Sequence, residues 1–347
     1  MAARTLRSVL LSISCAVGLS LVALVPHGPL GPHAMADGWS RVSINGRVVP
    51  VSFNDGDSFR VRGGEYDGTQ CRLGGFNTLE SFGPAHYWGD WHPYELYTNA
   101  KMATTNARRG NWHCFTDGTR DGYGRLLVEC PDLIVDALSR GYAHIYTTDD
   151  NPARPEYIRA QDEAMSARRG MWAHGVPGYV MTSVHSFDED TSREWHYNRL
   201  VSTRDGHSES VRHRETYSEC EWVCADEIVA DPVGISNLAR AMRADATIAP
   251  LVADRANVHL EEYVSRFART GELPEIVTEP ARTPILAFLN AASALGNLPA
   301  THTVPNATCM LYVAFDRRYG TSRATCLREH GTLPPGVEDV WHLGDHH

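Results

Sequence analysis

Asp55, Asp57, Arg72, Glu80 and Arg125 are the residues of this chain whose types and spacing suit a defined piece of chemistry. Asp55-Gly56-Asp57 puts two carboxylates on a turn, because Asp-Gly favours the backbone of tight turns. Arg72 follows in a strand-like run, Cys71-Arg72-Leu73, and Arg125 closes the run Asp121-Gly122-Tyr123-Gly124-Arg125. Hydrolysis of a phosphodiester needs such a set. A hard cation takes oxygen ligands and polarises the phosphoryl group. Guanidinium groups clamp the oxygens on which charge develops. A carboxylate positions or deprotonates the attacking water. Taken singly, each residue has a plain structural reading: turn carboxylates, a surface arginine, a capping glutamate, an arginine paired with Asp121. Their joint occurrence in one stretch carries the functional reading.

The net charge of −10 sets a limit on partners. A protein that coats nucleic acid non-specifically is basic, because its affinity comes from neutralised phosphates. An acidic chain argues against a broad coating surface but is compatible with one local basic cleft.

The elements that must position these residues can be read in order. Arg41-Val42-Ser43-Ile44, Asn45-Gly46 and Arg47-Val48-Val49 read as a tight hairpin, since Asn-Gly tolerates the positive φ of a type I′ turn. Ser58-Phe59-Arg60-Val61 and Cys71-Arg72-Leu73 continue as strands. A helix is expected from Pro93 to Gly110, with Leu96, Ala100, Ala103 and Ala107 on one stripe. A Cys-bounded hairpin follows, then a short helix capped by Asp132 and a third from about Pro155 to Arg169. Early strands with late helices predict α+β architecture: a small OB-type β-barrel with peripheral helices over residues 37–181. Residues 182–219 are polar and read as a linker, with a hairpin at Asp205-Gly206. Residues 220–347 read as a mainly helical domain of unknown role with a terminal β-hairpin from Cys309 to Cys326. Leu260, Tyr263, Val264 and Phe267 share a helical face there, and Thr283 is positioned to cap a helix starting at Pro284. Asp316-Arg317-Arg318-Tyr319-Gly320 echoes Arg120-Asp121-Gly122-Tyr123-Gly124, and shared turn chemistry is the simpler account of that echo.

Residues 41–175 resemble the staphylococcal-nuclease-like, or thermonuclease, family. Asn54-Asp55-Gly56-Asp57-Ser58-Phe59 resembles its aspartate-glycine-aspartate turn. Cys71-Arg72-Leu73-Gly74-Gly75-Phe76-Asn77-Thr78-Leu79-Glu80 resembles its arginine strand leading to an Asp-Thr-Pro-Glu motif, and Asp121-Gly122-Tyr123-Gly124-Arg125 its Asp-x-Tyr-Gly-Arg motif. Cys114 and Cys130 match a cysteine pair common in exported members, and Trp172 a tryptophan that closes the domain. The resemblance implies Asp57 as a direct calcium ligand, Asp55 behind it, and Thr78 offering its backbone carbonyl. It implies Glu80 as general base or water-positioning group, Arg72 and Arg125 on the scissile phosphate, and Tyr123 against the nucleotide. Asn77 departs from the family's calcium-binding aspartate and Leu79 from its proline. An asparagine oxygen still suits calcium, but one negative charge is lost, so another divalent cation becomes an alternative.

The expected function is therefore a metal-dependent nuclease acting on DNA, RNA or both with little sequence preference. The alternative is a non-catalytic nuclease-like module that binds nucleic acid or a protein. Arg4 and Arg7, the apolar stretch Val9–Val25 and Ala34-Met35-Ala36 read as a secretory signal peptide over residues 1–36, giving a secreted or periplasmic protein with no membrane attachment after cleavage. An uncleaved anchor is the alternative, since about 17 apolar residues sit at the lower limit of a span. Seven of the eight cysteines lie beyond that segment. Cys114 would face Cys130 and Cys309 would face Cys326 across hairpins, Cys220 is close enough to pair with Cys224, and Cys71 is left odd. A zinc site from Cys220, Cys224, Cys309 and Cys326 is the competing reading. The run His86-Tyr87-Trp88-Gly89-Asp90-Trp91-His92 is either a packed cover on the barrel or a loop whose rings stack on bases, the cover being preferred.

Overall fold

A computed structural model describes residues 40–149, 151–314 and 326. The expected signal peptide and the echo at 316–320 lie outside the described residues. The chain is a mixed α+β protein built on a curled six-stranded sheet.

Strands β1 (Ser40–Ile44), β2 (Arg47–Asp55), β3 (Ser58–Val61) and β4 (Gln70–Leu73) run as an antiparallel meander. Asn45 and Gly46 both have positive φ, 48° and 82°, as the expected type I′ turn requires. Their inward residues alternate: Val42, Ile44, Val49, Val51, Phe53, Phe59, Val61 and Leu73 form the core, with Phe53 and Phe59 edge-to-face at 5.3 Å. Next come β5 (Phe76–Thr78), β6 (His86–Tyr87), α1 (Pro93–Arg109), β7 (Trp112–Cys114), β8 (Leu126–Val128), α2 (Pro131–Ser139), β9 (Ala143–Ile145) and α3 (Pro155–Ser166).

The arms of the Cys-bounded hairpin separate. β7 pairs parallel with β1, while β8 pairs parallel with β4, so the two arms are opposite edges of one sheet. The edges are tied where Phe115 and Glu129 exchange backbone hydrogen bonds of 2.7 and 2.8 Å, beside the Cys114–Cys130 disulfide. α1 begins at Pro93 as expected, under a capping box between His92 and Glu95. Asp132 does not cap α2. Its carboxylate instead accepts from the His113 backbone at 3.0 Å, and Cys130 holds the cap position. His86, Trp88 and Trp91 form the packed cover, with Trp88 against Trp172 at 6.2 Å.

The stretch 182–219, expected as a linker, helps build a second sheet. β10 (Tyr179–Ser183), β11 (His196–Ser202) and β12 (Ser208–His213) form an antiparallel three-stranded sheet, and the β11–β12 turn is the expected Asp205-Gly206. Polar composition hid it because only one face of each strand is apolar. Beyond it lie β13 (Trp222–Ala230), α4 (Pro232–Ala244), α5 (Asn257–Thr270), α6 (Arg282–Ala294) and β14 (Thr301–Leu311). The three helices share a core of Ile235, Met242, Leu260, Val264, Phe267, Ile285 and Leu289. Thr283 does not cap α6. It lies inside the first turn, and its hydroxyl donates to Glu279 at 2.5 Å.

β13 and β14 form a long antiparallel ribbon, and β14 also pairs with β6 through Cys309↔Tyr87 and Met310↔His86. The expected terminal hairpin pairing of Cys309 with Cys326, and the local pairing of Cys220 with Cys224, are both wrong. Cys224 and Cys309 are cross-strand partners in the ribbon and are disulfide-linked, and Cys220 is linked to Cys326. Sequence proximity misled here because Cys224 and Cys309 sit on strands paired at long range, and Cys220 meets a cysteine 106 residues further on. All four are disulfide-bonded, which removes the thiolates a zinc site would need. Cys71 is the buried free thiol among the described residues. The three disulfides fit an oxidising compartment. No helix among the described residues is long and apolar enough to cross a membrane.

The Cys114–Cys130 link closes a loop of sequence separation 16 and ties the sheet edges. Replacing both cysteines by alanine is expected to lower unfolding free energy by about 3 kcal/mol, checked by urea denaturation. A loss within about 0.5 kcal/mol would mean that the backbone bridge alone sets the closure.

Candidate active site

The Asp55-Gly56-Asp57 turn joins β2 to β3 across a register shift. Gly56 is required by crowding: a Cβ there would lie 2.6 Å from Thr78 Cγ2 and 2.9 Å from Ala103 Cβ. The close approach lets α1 and β5 pack directly behind the two carboxylates. Asp57 is buried, and its Oδ2 accepts from the Thr78 backbone N–H at 2.9 Å. Its Oδ1 is ion-paired with Arg72 Nη1, which β4 brings opposite Ser58 of β3. Arg72 Nη2 donates to Asn77 Oδ1. Asp55 Oδ1 accepts from the Ser58 hydroxyl at 2.6 Å.

Asn77 is matched to its surroundings. Its amide Nδ2 donates to the Thr78 carbonyl at 3.0 Å and lies 3.5 Å from His144 Nε2, its cross-strand partner on β9. Burial drives the His144 pKa down to about 4, and its Nδ1 donates to the Ile145 carbonyl at 2.8 Å, leaving Nε2 an acceptor. An amide offers one acceptor to Arg72 and two donors to these two acceptors. An aspartate would have no proton for either.

The two turn carboxyls are pushed apart. Burial would raise Asp57, but the Arg72 guanidinium and the Thr78 N–H hold it below the ordinary carboxylate range. Burial and the neighbouring Asp57 and Glu80 charges push Asp55 well above that range. Arg72 stays charged despite burial because Asp57 faces it. The donors are carboxylate, amide and carbonyl oxygens, which suit a hard divalent cation. The crowding of carboxylates around Asp55 is the imbalance such a cation would relieve.

These residues form the floor of a cleft of about 1150 Å³. Its lining includes seven cationic side chains, Arg60, Arg62, Arg72, Lys101, Arg108, Arg125 and Arg199, against two acids, Asp55 and Glu80. Arg60, Lys101, Arg108 and Arg199 are held by carbonyl and hydroxyl oxygens, with no ion pair among the described residues. Their charge is therefore left for something else to neutralise. Arg125 is held by Asp121 at 2.7 Å and lies 5.4 Å from the ring of Tyr123, which is 69% exposed. Arg72 lies 5.9 Å from the Tyr146 ring. The Glu80 backbone N–H donates to His86 Nε2 at 3.2 Å, so the packed cover fixes the chain where Glu80 enters the cleft.

All the expected residues except Asp57 and Thr78 line the cleft, and those two are buried directly beneath it. The further cations were partly legible. Arg60 and Arg62 alternate with core residues of β3, and Lys101, Thr105 and Arg108 repeat at helical spacing on α1. Arg199 carried no signal, because its strand was expected to be a linker. No protein-family model matches the chain, and no curated protein matches it.

A second polar cluster lies apart, between the β11–β12 turn and α5. Among the described residues, Asp205, His207 and Glu262 are the one trio of metal-ligand type whose donor atoms lie within 4.8 Å of one another. It is filled by its own charges. His207 Nδ1 meets Asp205 at 2.6 Å and its Nε2 meets Glu209 at 3.2 Å, while Arg269 lies 3.3 Å from Glu262 and 3.4 Å from Glu209. Burial opposes the His207 charge, but the carboxylates on both nitrogens raise its pKa to about 10.

Two outcomes follow. Arg72→Ala strands the buried Asp57 carboxylate and is expected to lose about 3–5 kcal/mol of stability, much of it regained in the Asp57→Asn double variant. Chemical denaturation of the single and double variants checks this, and additive losses would refute the pairing. For His207, a folded pKa near 10 against about 6.5 unfolded means stability present below pH 6.5 and lost as pH rises towards 10. Glu209, lowered to about 2, titrates far below that window, whereas Glu262, raised to about 7, titrates at its lower end with the same sign, so the stretch above about pH 8 belongs to His207. Tm should fall between pH 7 and pH 10, and His207→Gln should flatten that part of the profile.

Proposed function

We propose that this chain is a metal-dependent nuclease of the staphylococcal-nuclease-like kind, hydrolysing phosphodiester bonds in DNA, RNA or both, with its curled sheet serving as an OB-type barrel. The observation that carries the reading is the cleft: seven cations and two acids over a buried carboxylate turn, in a chain whose net charge is −10. That sign reversal suits a polyanion held locally. The reading also rests on the order of the Asp57, Arg72, Glu80 and Arg125 motifs.

Arg125 and Arg72 neutralise the phosphate and favour the more highly charged transition state. Glu80 orients the water and takes its proton. Tyr123, exposed beside Arg125, offers its ring to the nucleotide. A divalent cation such as calcium, held by Asp55 and Asp57 with the Asn77 side-chain and Thr78 backbone oxygens, supplies polarisation of a phosphoryl oxygen when bound. Asn77 contributes no charge to that set. The disulfides support an exported protein.

Purified protein is expected to cleave single- and double-stranded DNA or RNA with calcium, magnesium or manganese, and to stop on chelation. Glu80→Gln should lower kcat by about 10²- to 10⁴-fold, and Arg125→Ala by about 10²- to 10³-fold. If every polymer stays intact with all three cations, the nuclease reading fails. Retained binding without turnover would then favour the non-catalytic module.

A further inference from the structure

The cleft does not end at the curled sheet. Its far wall is Thr182, Ser183, His185 and Arg199, from β10, β11 and the turn between them. From His196 to Leu200 the residues alternate: His196, Asn198 and Leu200 are buried, whereas Tyr197 and Arg199, with Trp195 just before the strand, are partly exposed on the other face, which closes over at the buried Val201. The register with β12 sets Arg212 opposite Tyr197 and Ser210 opposite Arg199, so that face carries both cations and rings. The Arg212 guanidinium lies 4.0 Å from the Trp195 ring, Arg199 lies 5.4 Å from the Tyr197 ring, and the His185 ring lies 5.3 Å from that of Tyr197. Arg199 donates to Ser208 Oγ at 3.3 Å and to the Thr148 carbonyl at 3.4 Å, neither of which cancels its charge. The acids near this face are paired with residues other than Arg199 and Arg212, although one of them meets His185 on the face itself. Glu189 pairs with His185, Glu194 with Arg214, and Glu209 lies opposite Leu200 on the buried face.

We propose that this face of the β10–β11–β12 sheet is a platform for single-stranded nucleic acid, continuing the strand beyond the phosphate held at Arg72 and Arg125. The proposal rests on the nuclease reading for the direction from which the strand arrives. Charge complementarity and continuity with the cleft select the occupant. Arg199 and Arg212 suit phosphates, and Trp195, Tyr197 and His185 offer flat faces for bases. A duplex hides its base faces in the stack, so rings on an open sheet reward only unpaired bases. From Trp195 to Arg199 the strand rises about 13 Å, enough for more than one nucleotide.

The test is fluorescence anisotropy in chelator, which removes turnover from the measurement. The probes are 5′-fluorescein oligothymidylates of about 4 and about 16 nucleotides, and a duplex of the longer length. The native protein should bind the longer strand at least about tenfold more tightly than the shorter, and more tightly than the duplex. In the Arg199→Ala/Arg212→Ala variant, the slope of log affinity against log salt for the long strand should shrink by about 1.4, two cations at about 0.7 each. Trp195→Ala/Tyr197→Ala should weaken the long strand about tenfold or more. Arg212→Glu, at an exposed position, should do the same without touching the core. An unchanged salt slope, or equal affinity for duplex and single strand, overturns the platform. Binding as expected without cleavage by any cation-loaded sample keeps the platform and removes the nuclease reading. Cleavage with unaltered binding in the variants removes the platform alone.

Discussion

Arg72 is nearly buried, so its charge must be met inside the protein. It is met by Asp57 from the β2–β3 turn and by Asn77 from β5, three elements joined at one guanidinium. Much of the site follows. Asp57 is fixed at Oδ1 by Arg72 and at Oδ2 by the Thr78 N–H, so the turn cannot pivot. Asn77 is fixed in turn by the Thr78 carbonyl and by a neutral His144. Asp55, with no ion pair among the described residues, is a carboxyl whose ionisation is opposed by burial and by the neighbouring Asp57 and Glu80 charges. The fork of a guanidinium suits this work better than an ammonium, because it reaches two acceptors in fixed directions.

The parts legible in the sequence were those where one local rule decides. Asn45-Gly46 needs a I′ turn, Pro93 opens a helix, and the stripe Leu96, Ala100, Ala103, Ala107 is buried as its spacing asks. Within the site, Asp55, Arg72, Asn77, Glu80, Tyr123 and Arg125 converge on one cleft, with Asp57 and Thr78 beneath it. The illegible parts depended on long-range partners. Nothing local says that Cys224 faces Cys309 or that β6 pairs with β14. Residues 182–219 looked like a connector because an exposed sheet face is polar and its strands are short. Arg199 was hidden for that reason, though it lines the same cleft as Arg72.

Asn77 is fitted to its own neighbours. Beside a carbonyl and an unprotonated imidazole, the amide is the side chain that satisfies every partner. Asn77 is thus coupled to His144, and neither residue can be judged alone.

The strand β6 comes from the part of the chain that builds the candidate site, yet its ladder partner is β14, more than two hundred residues on. The backbone between Glu80 and α1 is therefore pinned at Glu80 by the His86 ring and along β6 by a disulfide-braced ribbon. A piece cut before β10 would carry β6 as a bare edge, a template for pairing with other chains. The C-terminal region is thus not a cassette that recombination could exchange freely. Any rearrangement that moved it would have to supply another strand to the back of the site, so the two regions are bound to change together.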